Sequence, residues 1–268
     1  MTGPAPARAD RPRLGVSACL LGREVRHDGR HKRSAFLADE LAAHVEWVEV
    51  CPEVEIGLPV PRATLQLVGP VDRPRLVESA TGRDLTGAME RWAAPRIAEL
   101  AGLGLDGYVF KKGSPSCGVA GVPVHGGGEP ARDGSGLFAA AVRAALPALP
   151  LGQETWLDQP ELRERFLVQV FTHHRLRAGL AAGGPAALPA LHAAHRLLLA
   201  ARDPAREPEL GRIAARAGAS EPELAGRYVR EVMAALALPA SPALQSAGDD
   251  SPAARLRAEP TPRPIGPR

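Results

Sequence analysis

The sequence predicts an α/β protein: a three-layer domain built on a parallel sheet over residues 13–152, followed by a smaller all-α domain over residues 153–238. Three observations predict it. Short apolar runs alternate with helix-favouring stretches through the first half, the βαβ order that builds a parallel sheet with helices on its faces. Three of those runs end in loops too rich in Pro and Gly to continue as regular structure. Beyond residue 152 the short runs stop and amphipathic helical spacing takes over.

A chain of 268 residues can hold one large domain or two modest ones, each with its own core. The 45% hydrophobic content is that of a globular protein in water, and no apolar run reaches the length of a membrane span. The first ten residues have no apolar centre and do not read as a signal peptide, so the expected location is the cytoplasm. Charge is nearly balanced, 33 basic against 30 acidic residues, which gives no nucleic-acid footprint. The locally basic residues 1–33 read as a solvated tail and loop. Only three of the basic residues are lysines, and two of them, Lys111 and Lys112, stand close to Cys117, which favours a compact ammonium group there.

In chain order, residues 1–12 are expected to be disordered. Arg13–Ser17 reads as the first buried strand and leads into a loop carrying Cys19. Arg26-His27-Asp28-Gly29 is a turn, and the spacing of Phe36, Leu37 and Leu41 predicts a helix over 32–44. Glu46–Val50 alternates as a second strand and runs into Cys51. A Pro-rich loop follows over 57–62, then a short extra strand at Leu76–Val77 and a helix over 86–103 with Thr86 as N-cap. Asp106–Phe110 is the third strand of the main sheet. Residues 119–135 read as a long Gly-rich loop, 136–146 as a helix and 149–152 as a fourth strand. The result is a Rossmann-like domain without a Gly-x-Gly-x-x-Gly after any strand, so not an ordinary dinucleotide site. Helices are predicted over 160–182, 189–201, 208–217 and 222–238, before a disordered Pro/Ala/Arg tail over 239–268.

The stretch that organises the chain is Lys111-Lys112-Gly113-Ser114-Pro115-Ser116-Cys117-Gly118, at the end of the third strand. Gly113 and Pro115 forbid a helix there, so the segment lifts a thiol, two hydroxyls and two ammonium groups to the carboxyl edge of the sheet, where ligands of open α/β sheets bind. Cys19 and Cys51 follow the first and second strands in the same manner. Neighbouring strands are about 5 Å apart, so three cysteines remote in sequence can converge. An odd number of cysteines in a reducing compartment argues against a disulfide framework. Three small buried hydrophobes would satisfy the pattern, but these residues stand in loops beside Ser17, Glu53, Ser114 and Ser116 rather than inside strands. Converging thiolates would form an incomplete zinc site or a cluster site with one open metal position.

Val16-Ser17-Ala18-Cys19-Leu20-Leu21-Gly22, His27-Asp28-Gly29, Cys51-Pro52-Glu53 with Gly57-Leu58-Pro59-Val60-Pro61-Arg62, and Lys112-Gly113-Ser114-Pro115-Ser116-Cys117-Gly118 resemble, in this order, the motifs of the thiouracil desulfurase family. The resemblance covers about residues 13–150. It implies a [4Fe-4S] cluster held by Cys19, Cys51 and Cys117, with the fourth iron open to the sulfur of a thiocarbonyl substrate such as 2-thiouracil. It also implies that Glu53 is the acid/base and that Ser114 assists it. Elementary chemistry agrees. Thiocarbonyl sulfur is soft and suits a soft iron, and a carboxylate beside the site can take the proton of an attacking water. Ser17, Asp28, Arg62, Lys112 and Ser116 complete the candidate substrate-facing or supporting residues. For Asp28 the turn itself, and for Arg62 a pairing with Glu53 or Glu55, are the structural roles the sequence offers.

In the second half, Asp158-Gln159-Pro160-Glu161-Leu162-Arg163, Phe171-Thr172-His173-His174-Arg175 and Leu191-His192-Ala193-Ala194-His195-Arg196 resemble the helical YbgA-type domain fused behind the first in some relatives. This domain is expected to be truncated, because the chain turns into its Pro/Ala/Arg tail after about residue 238. No Glu-x-x-His pattern accompanies its histidines, which read as satisfied interface residues. Two functions follow for the whole: an iron–sulfur enzyme releasing hydrogen sulfide from a thio-base, or a cluster- or metal-binding module in sulfur trafficking or redox sensing without that activity.

Overall fold

In the computed structural model, residues 11–126, 128–216 and 222–239 are described, so almost all of the two segments expected to be disordered lies outside the described residues. The chain divides into two compact units, one over residues 8–163 and one from Glu164 onward. The expected joint at 152/153 lies upstream, inside a short strand at Leu151–Gln153. Residues up to Arg163 belong with the first unit, where the Arg163 guanidinium stands 4.2 Å from the centre of the Phe36 ring.

The first unit contains β1 (Arg13–Ser17), β2 (Glu46–Val50), α1 (Pro52–Glu55), β3 (Leu65–Val68), β4 (Arg75–Glu78), α2 (Thr86–Gly102), β5 (Gly107–Phe110), β6 (Val122–His125), β7 (Ala131–Gly134), α3 (Leu137–Ala145), β8 (Leu151–Gln153) and α4 (Glu154–Leu157). Its main sheet has the order β2-β1-β5-β8, with all three pairings parallel. The α/β class and the parallel sheet are as the sequence predicts. The central strands β1 and β5 are short and almost wholly buried because helices and loops cover them on both sides. Tyr108 and Phe110 face α2 and α3, where both meet Phe138 edge-on at 6.1 and 6.0 Å between ring centres. Leu14, Val16 and Val109, on the other face, are fully buried.

A second sheet, β4-β3-β6-β7, departs from the expectation. Residues 119–135 do not form a structureless loop: β6 and β7 pair antiparallel across a bulge between Val122 and Val124. The signal is faint because β7 reads Ala-Arg-Asp-Gly, with no β-branched residue, and only the alternating Val122 and Val124 are driven inward. The short strand expected at Leu76–Val77 is the centre of β4 and pairs antiparallel with β3.

Two further expectations are corrected. Residues 32–44 do not form one helix; helical turns occupy only Phe36–Glu40 and Leu41–Ala43. The amides of Lys32 and Ser34 bond the carbonyls of Cys19 and Leu20 at 2.9 Å each, and these tertiary bonds outcompete the helix start. Thr86 is not the N-cap of α2 either: Leu85 is. The Thr86 hydroxyl instead accepts the Leu76 amide of β4 at 2.9 Å, while the Asp84 carboxylate accepts the Thr86 amide at 2.8 Å.

The second unit is helical: α5 (Pro160–Gly183), which begins in the first unit, α6 (Leu188–Arg202), α7 (Glu207–Arg216) and α8 (Pro222–Leu236). All four expected helices are present, around a core that includes Leu176, Leu199, Leu210, Tyr228 and Val232. The buried His192 places Nδ1 3.1 Å from the Tyr228 hydroxyl and Nε2 3.3 Å from Glu207, and His195 Nδ1 lies 2.7 Å from the Leu191 carbonyl. They are satisfied core groups, and among the described residues no set of His, Cys, Asp or Glu here is placed to hold a metal ion.

Gly15 sits opposite Tyr108 in the β1–β5 register, and a Cβ on it would come within 2.1 Å of the Tyr108 ring. Gly15→Ala is expected to destabilise the fold by about 1–3 kcal/mol through overpacking. Equilibrium denaturation checks this; an unchanged midpoint would show that the ring can move aside.

Candidate functional site

Each cysteine is placed by what the sequence does just beyond a strand. After β1 the chain tightens into a 3₁₀ turn over Ala18–Leu21 that carries Cys19. Beyond β2, Cys51 is the N-cap of α1 and Pro52 its first residue. The Glu55 carboxylate reaches back and accepts the Cys51 amide at 3.1 Å. At the end of β5 the chain turns through Gly113, whose φ of 69° only glycine adopts readily. The Ser114 hydroxyl then accepts the amides of Ser116 and Cys117 at 3.2 and 3.1 Å, which winds the loop around itself and sets Cys117. Across the strand ends, the Ser17 hydroxyl accepts the Lys111 amide at 3.1 Å.

The three thiols open on one cavity of about 240 Å³. Val25, Val50, Leu65 and Pro115 give it apolar wall; Arg26, Arg62, Lys111 and Lys112 give it positive charge. Burial pushes the Cys19 thiol up to about 12, with a further push from Cys51. Cys117 rises well above the ordinary thiol range, first through burial and then through the charges of Glu53, Cys51 and Cys19. Cys51 is raised by burial too, with Glu53 adding to it. The thiols thus feel one another, yet among the described residues no three His, Cys, Asp or Glu side chains are grouped to hold one metal ion.

Glu53 points into the same cavity and is held at both oxygens. Oε2 accepts Nε and one terminal nitrogen of Arg62, at 2.9 and 2.7 Å. Oε1 accepts the hydroxyls of Ser116 at 3.1 Å and Ser114 at 3.4 Å. The Arg62 side chain is 4% exposed and also donates to the Val25 carbonyl at 2.9 Å, so the pair is buried and oriented. The backbone amide of Arg62 meets the His27 carbonyl at 2.9 Å, which ties the Pro-rich loop to the Arg26–Gly29 turn.

The other predicted site residues divide. Ser17 lines the cavity; Lys112 lines its exposed rim. Ser116 is fully buried behind the lining and touches the site through Glu53. Asp28 does not line the cavity: its carboxylate accepts the Arg30 amide at 3.1 Å and stands 3.6 Å from Arg26, so it closes its own turn. Sequence reasoning missed Glu154, whose carboxylate pairs with the Lys111 ammonium at 2.9 Å and accepts the Lys112 amide at 2.7 Å. It also gave Glu55 no hold on Cys51 and placed neither Arg26 nor His27 in the cavity. Glu154 carries no local signal, since only the β5–β8 pairing brings it to the lysines.

The family model for 2-thiouracil desulfurase matches residues 14–154. A solved structure of a [4Fe-4S]-dependent thiouracil desulfidase, TudS, is similar at 33% sequence identity over 57% of this chain and 96% of that one, with a TM-score of 0.46. No curated protein matches. No helix among the described residues is long and apolar enough to cross a membrane.

Raised thiols make a pH prediction for the metal-free protein. With Cys19 near 12, about one molecule in ten thousand carries its thiolate at pH 8. Alkylation by iodoacetamide is therefore expected to be far slower in the folded protein than after denaturation. Folding favours the protonated thiols, so their contribution to stability is complete below about pH 8.5 and is lost as pH rises towards the folded values. Rapid labelling of all three thiols in the folded state would refute this.

Proposed function

The chain belongs to the 2-thiouracil desulfurase family, and from that premise we propose that it cleaves the C–S bond of a thiolated heterocycle by hydrolysis. A thio-base of the 2-thiouracil kind and water give the oxo-base and hydrogen sulfide, with no net redox change. The observation that carries this reading is the buried, doubly held Glu53 carboxylate on the same cavity as three thiols.

Cys19, Cys51 and Cys117 would hold a [4Fe-4S] cluster. The donor set fits: three soft sulfurs from three separate strand ends line one cavity. Arginine and lysine around the cavity suit a site that gathers thiolates, which the thiols alone resist by burial. When bound, the cluster supplies a soft Lewis acid for the thiocarbonyl sulfur.

The chain's own residues do the rest. The wall of Val25, Val50, Leu65 and Pro115 receives a flat ring and excludes bulk water. Glu53, fixed in place by Arg62, accepts a proton from the water whose oxygen joins the thiocarbonyl carbon. As the C–S bond breaks, the same carboxyl returns that proton to the leaving sulfur, which departs as hydrosulfide; the second water proton leaves the new carbonyl oxygen to solvent, where it completes hydrogen sulfide. The hydroxyls of Ser114 and Ser116 hold Oε1 in place through both transfers. Lys112, exposed at the rim, is placed to meet the substrate as it enters, and Lys111 is held by Glu154. The proposed setting is the cytoplasm, where the three free thiols stay reduced. The helical residues beyond the family match keep the YbgA-type assignment that their own motifs support.

Glu53→Gln is the test. After anaerobic reconstitution the variant is expected to keep about four irons and four acid-labile sulfides per chain, while turnover of 2-thiouracil falls by about 10²–10⁴-fold. Alanine at any one of Cys19, Cys51 or Cys117 is expected to lose the iron. Unchanged turnover in Glu53→Gln removes this carboxylate from the reaction. Full iron loading with no thio-base turnover in the unaltered protein would favour the sulfur-trafficking or redox-sensing module.

A further inference from the structure

Two tyrosines of this protein have no exposed surface, Tyr108 and Tyr228. Their hydroxyls differ. Tyr228 meets His192 Nδ1 at 3.1 Å. Tyr108 has no hydrogen-bond partner for its hydroxyl among the described residues. A buried hydroxyl left unpaired costs about 1–3 kcal/mol, which a phenylalanine would avoid. Phenylalanine is at home in this place: Phe110 stacks on the Tyr108 ring at 3.9 Å between ring centres, and Phe138 packs edge-on against both. The strand opposite gives up a side chain at Gly15 to admit that ring.

The groups around the hydroxyl can be taken one by one. Burial pushes the phenol well above its ordinary range, and the ionisable groups that act on it are Cys117, Glu55, Arg96 and Cys51. It is therefore a neutral O–H donor. Arg96 has no acceptor to offer. The Glu55 carboxylate accepts the Cys51 amide at 3.1 Å and pairs with Arg96 at 3.1 Å, and it makes no hydrogen bond with the Tyr108 hydroxyl. Cys51 directs its sulfur at the Val25 carbonyl, 3.8 Å away. The sulfur of Cys117 makes no bond with the hydroxyl either, but it belongs to the same buried cluster as Tyr108, on the side where the cofactor would bring further sulfur acceptors.

We propose that Tyr108 is a positioning residue for the cofactor, its hydroxyl reserved as a hydrogen-bond donor to sulfur on the Cys117 side of the bound iron–sulfur cluster. The inference rests on the cluster reading above. Outer-shell donors of this kind hold metal sites by about 10–100-fold in affinity, and hydrogen bonds to sulfur raise a cluster's reduction potential.

Tyr108→Phe removes the hydroxyl and nothing else. The full-length protein and the variant are reconstituted anaerobically, then compared by iron content, by the rate of iron loss to a chelator and by reduction potential in a dye titration. The denaturation midpoint of each is also measured without metal. The expected result is equal initial loading, about tenfold faster iron loss and a more negative potential in the variant. Its metal-free midpoint is expected to be unchanged or higher, in contrast to a lower midpoint for Tyr228→Phe. Equal iron loss and equal potential in the two loaded proteins would overturn this proposal alone. A metal-free midpoint lowered as in Tyr228→Phe would also overturn it, because the hydroxyl would then have a protein partner. Absence of iron in the unaltered protein would overturn the cluster reading, and this proposal with it.

Discussion

Everything at the candidate site depends on three parallel strands lying side by side in the order β2-β1-β5. Parallel pairing puts all three carboxyl ends on one edge, and the register brings Ser17 level with Val50. The bond from the Lys111 amide to the Ser17 hydroxyl then joins the β1 and β5 ends above the sheet. Antiparallel pairing of the same strands would have sent one thiol to the opposite edge. The crossovers between them, not the cysteines, supply the convergence.

Burial sets the electrostatics that follow. The cavity wall raises all three thiols, so the metal-free site prefers them protonated and needs positive charge to gather thiolates. The protein answers with few free charges. Arg62 is committed to Glu53 and Lys111 to Glu154, each pairing closing a loop as well as a charge. A buried ion pair of this sort is weak support for stability but strong support for orientation. It holds a carboxylate at a fixed place beside the thiols while Ser114 and Ser116 fix its second oxygen.

The serines show how roles read from sequence are redistributed in space. Ser114 and Ser116 both donate to Glu53, yet Ser114 also accepts two amides and so shapes the loop that carries Cys117. Ser116 has the shorter bond to Glu53 and is fully buried. Asp28, adjacent to a cavity residue in sequence, serves its turn instead. Tyr108 had no place among the sequence candidates, because an aromatic inside a strand reads as core, and only the missing partner of its hydroxyl marks it out.

Local patterns along the chain already carried the α/β class, the four strands of the main sheet, the helices of the second unit, the three thiols at strand ends and Glu53 beside one of them. These are local properties: apolar runs, helical spacing, and Pro or Gly just past a strand. Packing settled the β6–β7 pairing of the second sheet, the broken helix after residue 34, the cap of α2, the serine partners of Glu53 and the partner of Lys111. The broken helix and the holds on Lys111 and on the second Glu53 oxygen turn on bonds between segments remote in the chain, such as Lys32 to Cys19, Glu154 to Lys111 or Ser116 to Glu53. Such bonds form only once the parallel sheet has brought the segments together, and no spacing within one segment encodes them.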